Sequence, residues 1–201
     1  MSNTNSTRGY GVLEKLLAQK RAQIADGLIP DPQRSGKILD IGCGAFPLFL
    51  ANISFKEKYG LDKISPPLQF KKNQTPIVRI NQDIELDPCL PFPENNFSVV
   101  TALAMIEHAD SELAQKLTRE IYRVLEPRGL FILTTPAHWT NIILRVLAKI
   151  RFLSPIEIND HKNLYSANNL TDFLQTAGFE NKKISSGHFE LGLNLWLTAE
   201  K

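Results

Sequence analysis

Short apolar runs alternate with helical periodicity along most of this chain, and no other feature constrains its fold as tightly. Residues 11–25 carry Leu13, Leu16, Leu17 and Ile24 at helical spacing, with charges between them. The stretch PDPQRSG (30–36) ends that helix, because two prolines and a glycine cannot continue it. Lys37–Ile41 reads as a short buried strand, and Pro47 suits the first position of the helix that follows. EKYGLDK (57–63) predicts a second strand ending at Asp62, TPIVRI (75–80) a third, and FSVVTALA (97–104) a fourth. The fourth is nearly all apolar, as a parallel strand covered on both faces requires. LDPCLPFPENN (86–96) holds three prolines and no helical period, so it reads as a loop. Asp110 or Ser111 caps the next helix, with Leu113, Leu117, Ile121 and Leu125 as its buried stripe and PRG (127–129) as its end. LFILTT (130–135) is a fifth strand. Ser166 reads as an N-cap and Gly178 as the residue past the end of a helix with Leu170, Phe173, Leu174 and Ala177 on one face. Phe179–Ser185 and Phe189–Ala199 read as two antiparallel strands joined through SGH. This order predicts an α/β fold: a doubly wound, mostly parallel sheet of about seven strands closed by an antiparallel C-terminal hairpin. Ligands on such a sheet bind at the carboxyl ends of the strands, near the point where strand order reverses.

With 201 residues and 43% hydrophobic content, the chain has the material for one domain and one substantial core. We expect a single domain over 1–201, with an N-terminal helical cap (1–30) and a lid or substrate insertion (136–165). A net charge of +2 is too mild to imply a nucleic-acid partner. The basic pairs Lys20-Arg21, Lys71-Lys72 and Lys182-Lys183 read as solvated faces. Cys43 and Cys89 make neither a disulfide framework nor a metal cluster, which points to a reducing compartment. The polar start MSNTNSTRGYG lacks the apolar core of a signal peptide. No run approaches the roughly 18 apolar residues of a membrane span, so the expected location is the cytoplasm.

The chemistry concentrates in KILDIGCGAFPLFL (37–50). Gly42 and Gly44 fall just past the first strand, where glycine permits unusual backbone angles and close approach of a ligand to the main chain. The N-terminus of the following helix favours a carboxylate or phosphate. Asp62, at the end of the second strand, can accept hydrogen bonds from both hydroxyls of a ribose. Nicotinamide or flavin binding would want a third glycine where Pro47 stands, which tells against those cofactors. The blander alternative is a tight turn and nothing more. It carries less weight because further polar motifs fall at matching strand ends.

Taken in order, ILDIGCG, YGLDK with Asp62, NQDIE with Asp83, LPFPENNFSVVTALAMIEHAD, RVLEPRGLFILTTP and HKNLYSANNLTDFLQTAGFE resemble the class I S-adenosylmethionine-dependent methyltransferases. The resemblance covers about residues 35–185 and is closest to the small ubiquinone-biosynthesis-like, methyltransferase type 11 group. It implies a Rossmann-like sheet and S-adenosyl-L-methionine as cofactor. It places Asp40 and the Gly42, Cys43 and Gly44 backbone at the amino-acid end of the cofactor. Asp62, with Lys63 beside it, takes the ribose, and Asp83 with Ile84 meets the adenine. Residues 102–105, including Leu103 and Ala104, border the methionine part and the methyl group. Phe46 stands where the family has a third glycine. We expect it to pack under the turn, since in the pocket it would block the cofactor. Some relatives hold a divalent metal with a Glu-x-x-Glu-His run. Here the run is Ala104-x-x-Glu107-His108, so no metal is expected.

Methyl transfer to a hydroxyl calls for in-line placement and a base, and histidine is the usual base near neutral pH. We rank His161 first, then His138, then His108, and expect His188 to lie exposed in the hairpin turn. The run WTNIILRVLAKIRFLSP (139–155) suits a lid helix packed on the domain. A sharper alternative is a basic amphipathic helix, with Arg145 and Lys149 on one side, that touches a membrane surface or lipid-like substrate through 139–153. The expected activity is methyl transfer to a small-molecule acceptor, oxygen favoured, with no nucleic-acid partner. The competing reading is a methyltransferase-fold protein without catalysis that serves as a binding or partner module. The sequence leaves the oligomeric state open.

Overall fold

A computed structural model describes residues 12–63, 75–137 and 165–201. Its seven strands are β1 (Lys37–Ile41), β2 (Glu57–Asp62), β3 (Ile77–Asn81), β4 (Phe97–Leu103), β5 (Leu125–Pro136), β6 (Ile184–Phe189) and β7 (Asn194–Glu200). They form one sheet in the order β3-β2-β1-β4-β5-β7-β6. β1 to β5 run parallel, while β7 lies antiparallel to both β5 and β6. Strand order reverses between β1 and β4, and ligands bind at the tips beside such a switch.

The period of two along each strand sends apolar side chains to both faces. Ile38, Val99 and Ile132 pack beneath α1 (Val12–Gly27) and α2 (Leu48–Asn52), against Ala25, Phe49 and Leu50. Leu39, Ile41, Val100 and Leu133 face α3 (Ser111–Val124) and α4 (Ala167–Ala177), against Leu117, Ile121, Leu170 and Leu174. Asp110 caps α3, its carboxylate accepting from the Leu113 N–H at 2.9 Å. Ser166 and Asn169 form a capping box at the start of α4, and Gly178 ends it in the left-handed region at φ 119°.

The structure corrects several boundaries. α3 ends at Val124, and Leu125 already belongs to β5, opposite Phe97. The chain passes PRG with Arg128 at φ 67°, and the pairing register shifts there instead of the helix stopping. Pro47 is the N-cap of α2, one position before its expected place. SGH lies inside β6, and the hairpin turns at residues 190–193, with Glu190, Leu191 and Gly192 all at positive φ. The reason is local. Gly187 faces the Trp196 ring so closely that a Cβ would lie 2.6 Å from it, so this glycine serves packing and not a turn. His188 is therefore a strand residue opposite Leu195, exposed as expected. Among the described residues no helix is long and apolar enough to cross a membrane.

Candidate active site

The glycine turn hangs from the tip of β2. The N–H groups of Gly42 and Cys43 donate to the Leu61 carbonyl at 2.8 and 3.3 Å. Gly42 and Gly44 sit at φ 72° and 74°, where side chains are strained. A Cβ on Gly42 would also lie 2.6 Å from Met105 Cγ, so the turn and the segment after β4 are in contact. The Gly44 N–H donates to Asp62 Oδ2 at 2.9 Å. Asp62, 5% exposed, thus both shapes the turn and holds a carboxylate at the carboxyl end of β2.

Strand register builds a second feature that no single stretch of sequence displays. Thr101, Asp40, Gly60 and Arg79 are successive partners across β4, β1, β2 and β3, and side chains of one row point to one face. Thr101 Oγ1 donates to Asp40 Oδ1 at 2.7 Å. Gly60 leaves the row open, and Cys43 Sγ occupies the space where its Cβ would be, 2.9 Å away. From the far end, Arg79 Nη2 donates to the Gly44 carbonyl at 2.9 Å. Asp40 is 3% exposed, and burial pushes its carboxyl up to about 7. The Thr101 bond opposes this, the Asp62 charge adds to it, and the Arg79 charge opposes it. Burial also drives the Cys43 thiol up to about 12, which excludes it as a nucleophile near neutral pH. Arg79 and Thr101 escaped the reading of the sequence because only register reveals them.

The remaining expected site residues gather at neighbouring strand tips. Lys63 Nζ lies 4.0 Å from Asp83 Oδ2 and 3.5 Å from Glu85 Oε1, so the ends of β2 and β3 are joined by an ion pair. Asp83 Oδ1 accepts from the Glu85 N–H at 3.0 Å, and Ile84 packs half-buried against the core. At the end of β4, Leu103 and Ala104 are half-buried, and the Ala104 N–H donates to the Thr134 carbonyl at 2.9 Å. Ala104 sits at φ 53°, uncommon for a residue with a Cβ and a mark of strain held by its surroundings. Glu107 and half-buried His108 follow in a 3-10 turn (Ile106–His108). Among the described residues no three metal-ligating side chains come together.

Two expectations change. Phe46 neither packs under the turn nor fills a pocket, since its side chain is 74% exposed. Cys43 Sγ and Leu50 Cδ1 already fill the space over Gly60, which leaves the ring outside. α2 has only five residues, so its dipole is small, and the N–H groups of Gly42, Cys43 and Gly44 are engaged with Leu61 and Asp62. His138, His161 and segment 139–153 lie outside the described residues. Tyr165, next to that segment, is a packing residue: its hydroxyl donates to the Ala109 carbonyl at 2.9 Å and its ring meets Phe173 edge-on.

The arrangement is a row of acceptors and bare main chain at the tips of β1 to β4, suited to a ligand with cationic, hydroxyl and aromatic parts. The family model of the methyltransferase domain matches residues 12–184. Over 144 residues the chain is 29% identical to a probable S-adenosylmethionine-dependent methyltransferase of Mycolicibacterium smegmatis, covering 71% of this chain and 51% of that protein. The chain thus spans about half the length of this curated relative. Among solved structures, a chain of the Haloferax volcanii complex between the Trm112 methyltransferase activator and a putative methyltransferase matches with a TM-score of 0.68. That match has 14% identity and covers 94% of this chain and 93% of that one. A possible histamine N-methyltransferase of Thermotoga maritima matches at 0.64, with 17% identity over 91% and 88% of the two chains. At such identities the structural matches speak for the fold alone. A family match that runs from α1 to the start of β6, on this strand order and with this turn at its switch point, makes the chain a member of the class I S-adenosylmethionine-dependent methyltransferases.

Proposed function

We propose that this chain transfers the methyl group of S-adenosylmethionine to a small-molecule acceptor, through oxygen in preference to nitrogen or carbon. The observation that carries the reading is the pair of buried carboxylates, Asp40 and Asp62, on either side of a glycine turn at the switch point. The residues present fit the cofactor. Buried acids suit its ammonium and sulfonium charges, and a carboxylate such as Asp62 can accept from several donors at once. Asp40 and the 42–44 main chain would hold the amino-acid end, Asp62 with Lys63 the ribose, Asp83 and Ile84 the adenine, and Leu103 with Ala104 the methionine part. When bound, the cofactor supplies a methyl on a positively charged sulfur, open to in-line attack. The chain's own task is to hold the acceptor atom about 3 Å from that methyl, in line and away from water.

For a hydroxyl acceptor we place the base among His161, His138 and His108, in that order, and assign segment 139–153 to covering the acceptor. Contact of that segment with a membrane or a lipid-like acceptor is the second use its basic, apolar pattern supports. Two free thiols favour the cytoplasm as the site of action. The test is titration calorimetry with S-adenosylhomocysteine. Micromolar binding is expected, with Asp62→Ala weakening it by roughly ten- to a hundredfold as charge-assisted bonds are lost. Unchanged affinity in Asp62→Ala refutes the ribose placement, and no binding up to millimolar concentration returns the chain to the role of a non-catalytic binding module.

A further inference from the structure

Glu107 is a buried acid that neither the sheet nor the cofactor row explains. It sits in the 3-10 turn Ile106–His108, a few residues past β4, and is 2% exposed. A carboxylate at that depth ordinarily collects several donors, because burying it otherwise costs a great deal. Among the described residues, its carboxylate has one hydrogen-bond donor, Thr135 Oγ1, at 3.2 Å. That is long for a charge-assisted O–H···O bond, whose usual length is about 2.5–2.7 Å. A leucine in its place would pack without this cost, so stability does not account for the acid.

Its position does suggest a use. Thr135 lies near the carboxyl end of β5, opposite Leu195 of β7. One residue earlier, Thr134 takes the Ala104 N–H on its carbonyl, while its own buried hydroxyl has no hydrogen-bond partner among the described residues. The tips of β4 and β5 therefore bury more polar capacity than the sheet uses, beside the strained Ala104 backbone. In the placement proposed above, the ribose and adenine groups fall on the other side of the switch, at the tips of β2 and β3, and only the methionine part reaches Leu103 and Ala104. The excess capacity thus falls on the side left for the acceptor.

We propose that Glu107 is the acceptor-side anchor: its carboxylate receives a hydrogen bond from a hydroxyl of the acceptor and selects molecules that carry such a donor close to the methylated atom. This rests on the methyl-transfer reading above. A site built to take a donor rejects analogues that lack it far more strongly than it rejects a change in apolar bulk.

The experiment titrates phenol and its methyl ether, anisole, into the protein saturated with S-adenosylhomocysteine, followed by NMR. Phenol should bind at least tenfold more tightly than anisole, and Glu107→Leu should erase that ratio while S-adenosylhomocysteine affinity stays within twofold. Glu107→Gln, which keeps the shape and one acceptor oxygen, should fall between the two. A merely structural Glu107 moves the melting temperature and leaves the ratio alone. Equal binding of the two probes by the unaltered protein, or a ratio that survives Glu107→Leu, overturns the proposal. Failure of the unaltered protein to bind S-adenosylhomocysteine overturns the methyltransferase reading instead.

Discussion

Replacing Asp40 by Asn should make the protein more stable and worse at binding its cofactor, and the size of the first effect follows from the structure. Asn keeps an oxygen to accept the 2.7 Å bond from Thr101, so geometry is preserved and only the charge is removed. The Asp40 carboxyl titrates at about 7 in the folded chain, against 3.8 for an aspartate free in water. Between those values the native chain holds a proton that the unfolded chain has released. Stability therefore falls as pH rises through that window and levels off above about 7. The displacement is roughly three pH units, and at 1.36 kcal/mol per unit the ionised acid costs up to about 4 kcal/mol. Urea unfolding of both proteins at pH 4 and pH 8 measures it. The two should be nearly equal at pH 4, with Asp40→Asn ahead by several kcal/mol at pH 8. The same variant should bind S-adenosylhomocysteine at least tenfold more weakly, the usual exchange of stability for function. A stability difference that does not change with pH refutes the argument, because it would mean that Asp40 is ionised in the folded chain throughout.

Two further outcomes test the turn itself. Gly42→Ala should lose about 1–3 kcal/mol in urea unfolding and much of its cofactor affinity, because φ 72° and a 2.6 Å approach to Met105 both oppose a Cβ. At pH 8, iodoacetamide should label exposed Cys89 well before Cys43, whose thiol is held at about 12, and peptide mapping of partly labelled protein reads the order.

What the sequence makes legible is local. Lys37–Ile41 and Glu57–Asp62 are short apolar runs with turn residues behind them, and both strands lie where pattern alone places them. Asp62 is recognisable because an acid at the end of the second strand, behind a glycine turn, has a chemical use. The misreadings share one cause, a residue that answers to something distant in the chain. Gly187 resembles a turn residue until Trp196 is laid across it. Phe46 belongs under the turn until Cys43 and Leu50 are found there already. Leu125 fits a helical stripe, yet pairing with Phe97 draws it into β5. Arg79 reads as an ordinary strand cation, because nothing near it in sequence shows that Gly60 opens a path to the glycine turn.

That path ties fold and site into one structure. Arg79 reaches the turn at Gly44, Asp40 reaches Thr101, and Gly60 between them carries no side chain that would displace Cys43. The row balances a cation against Asp40 and Asp62 on a face that also buries Lys58, whose ammonium donates to the Leu50 carbonyl. Removing Arg79 should then raise the Asp40 carboxyl further, since the Arg79 charge lowers it. It follows that Arg79→Met and Asp40→Asn cannot act independently. Alone, Arg79→Met leaves an acid with less compensation and a turn with one hydrogen bond fewer. Made on top of Asp40→Asn, it should cost less, because the charge it balanced is gone. A double-mutant cycle at pH 8 should show about 0.5–3 kcal/mol of coupling. The coupling should shrink toward pH 4, where Asp40 is protonated in both backgrounds. Additivity within about 0.3–0.5 kcal/mol at pH 8 would mean that the row is a coincidence of register and that the turn keeps its shape without it.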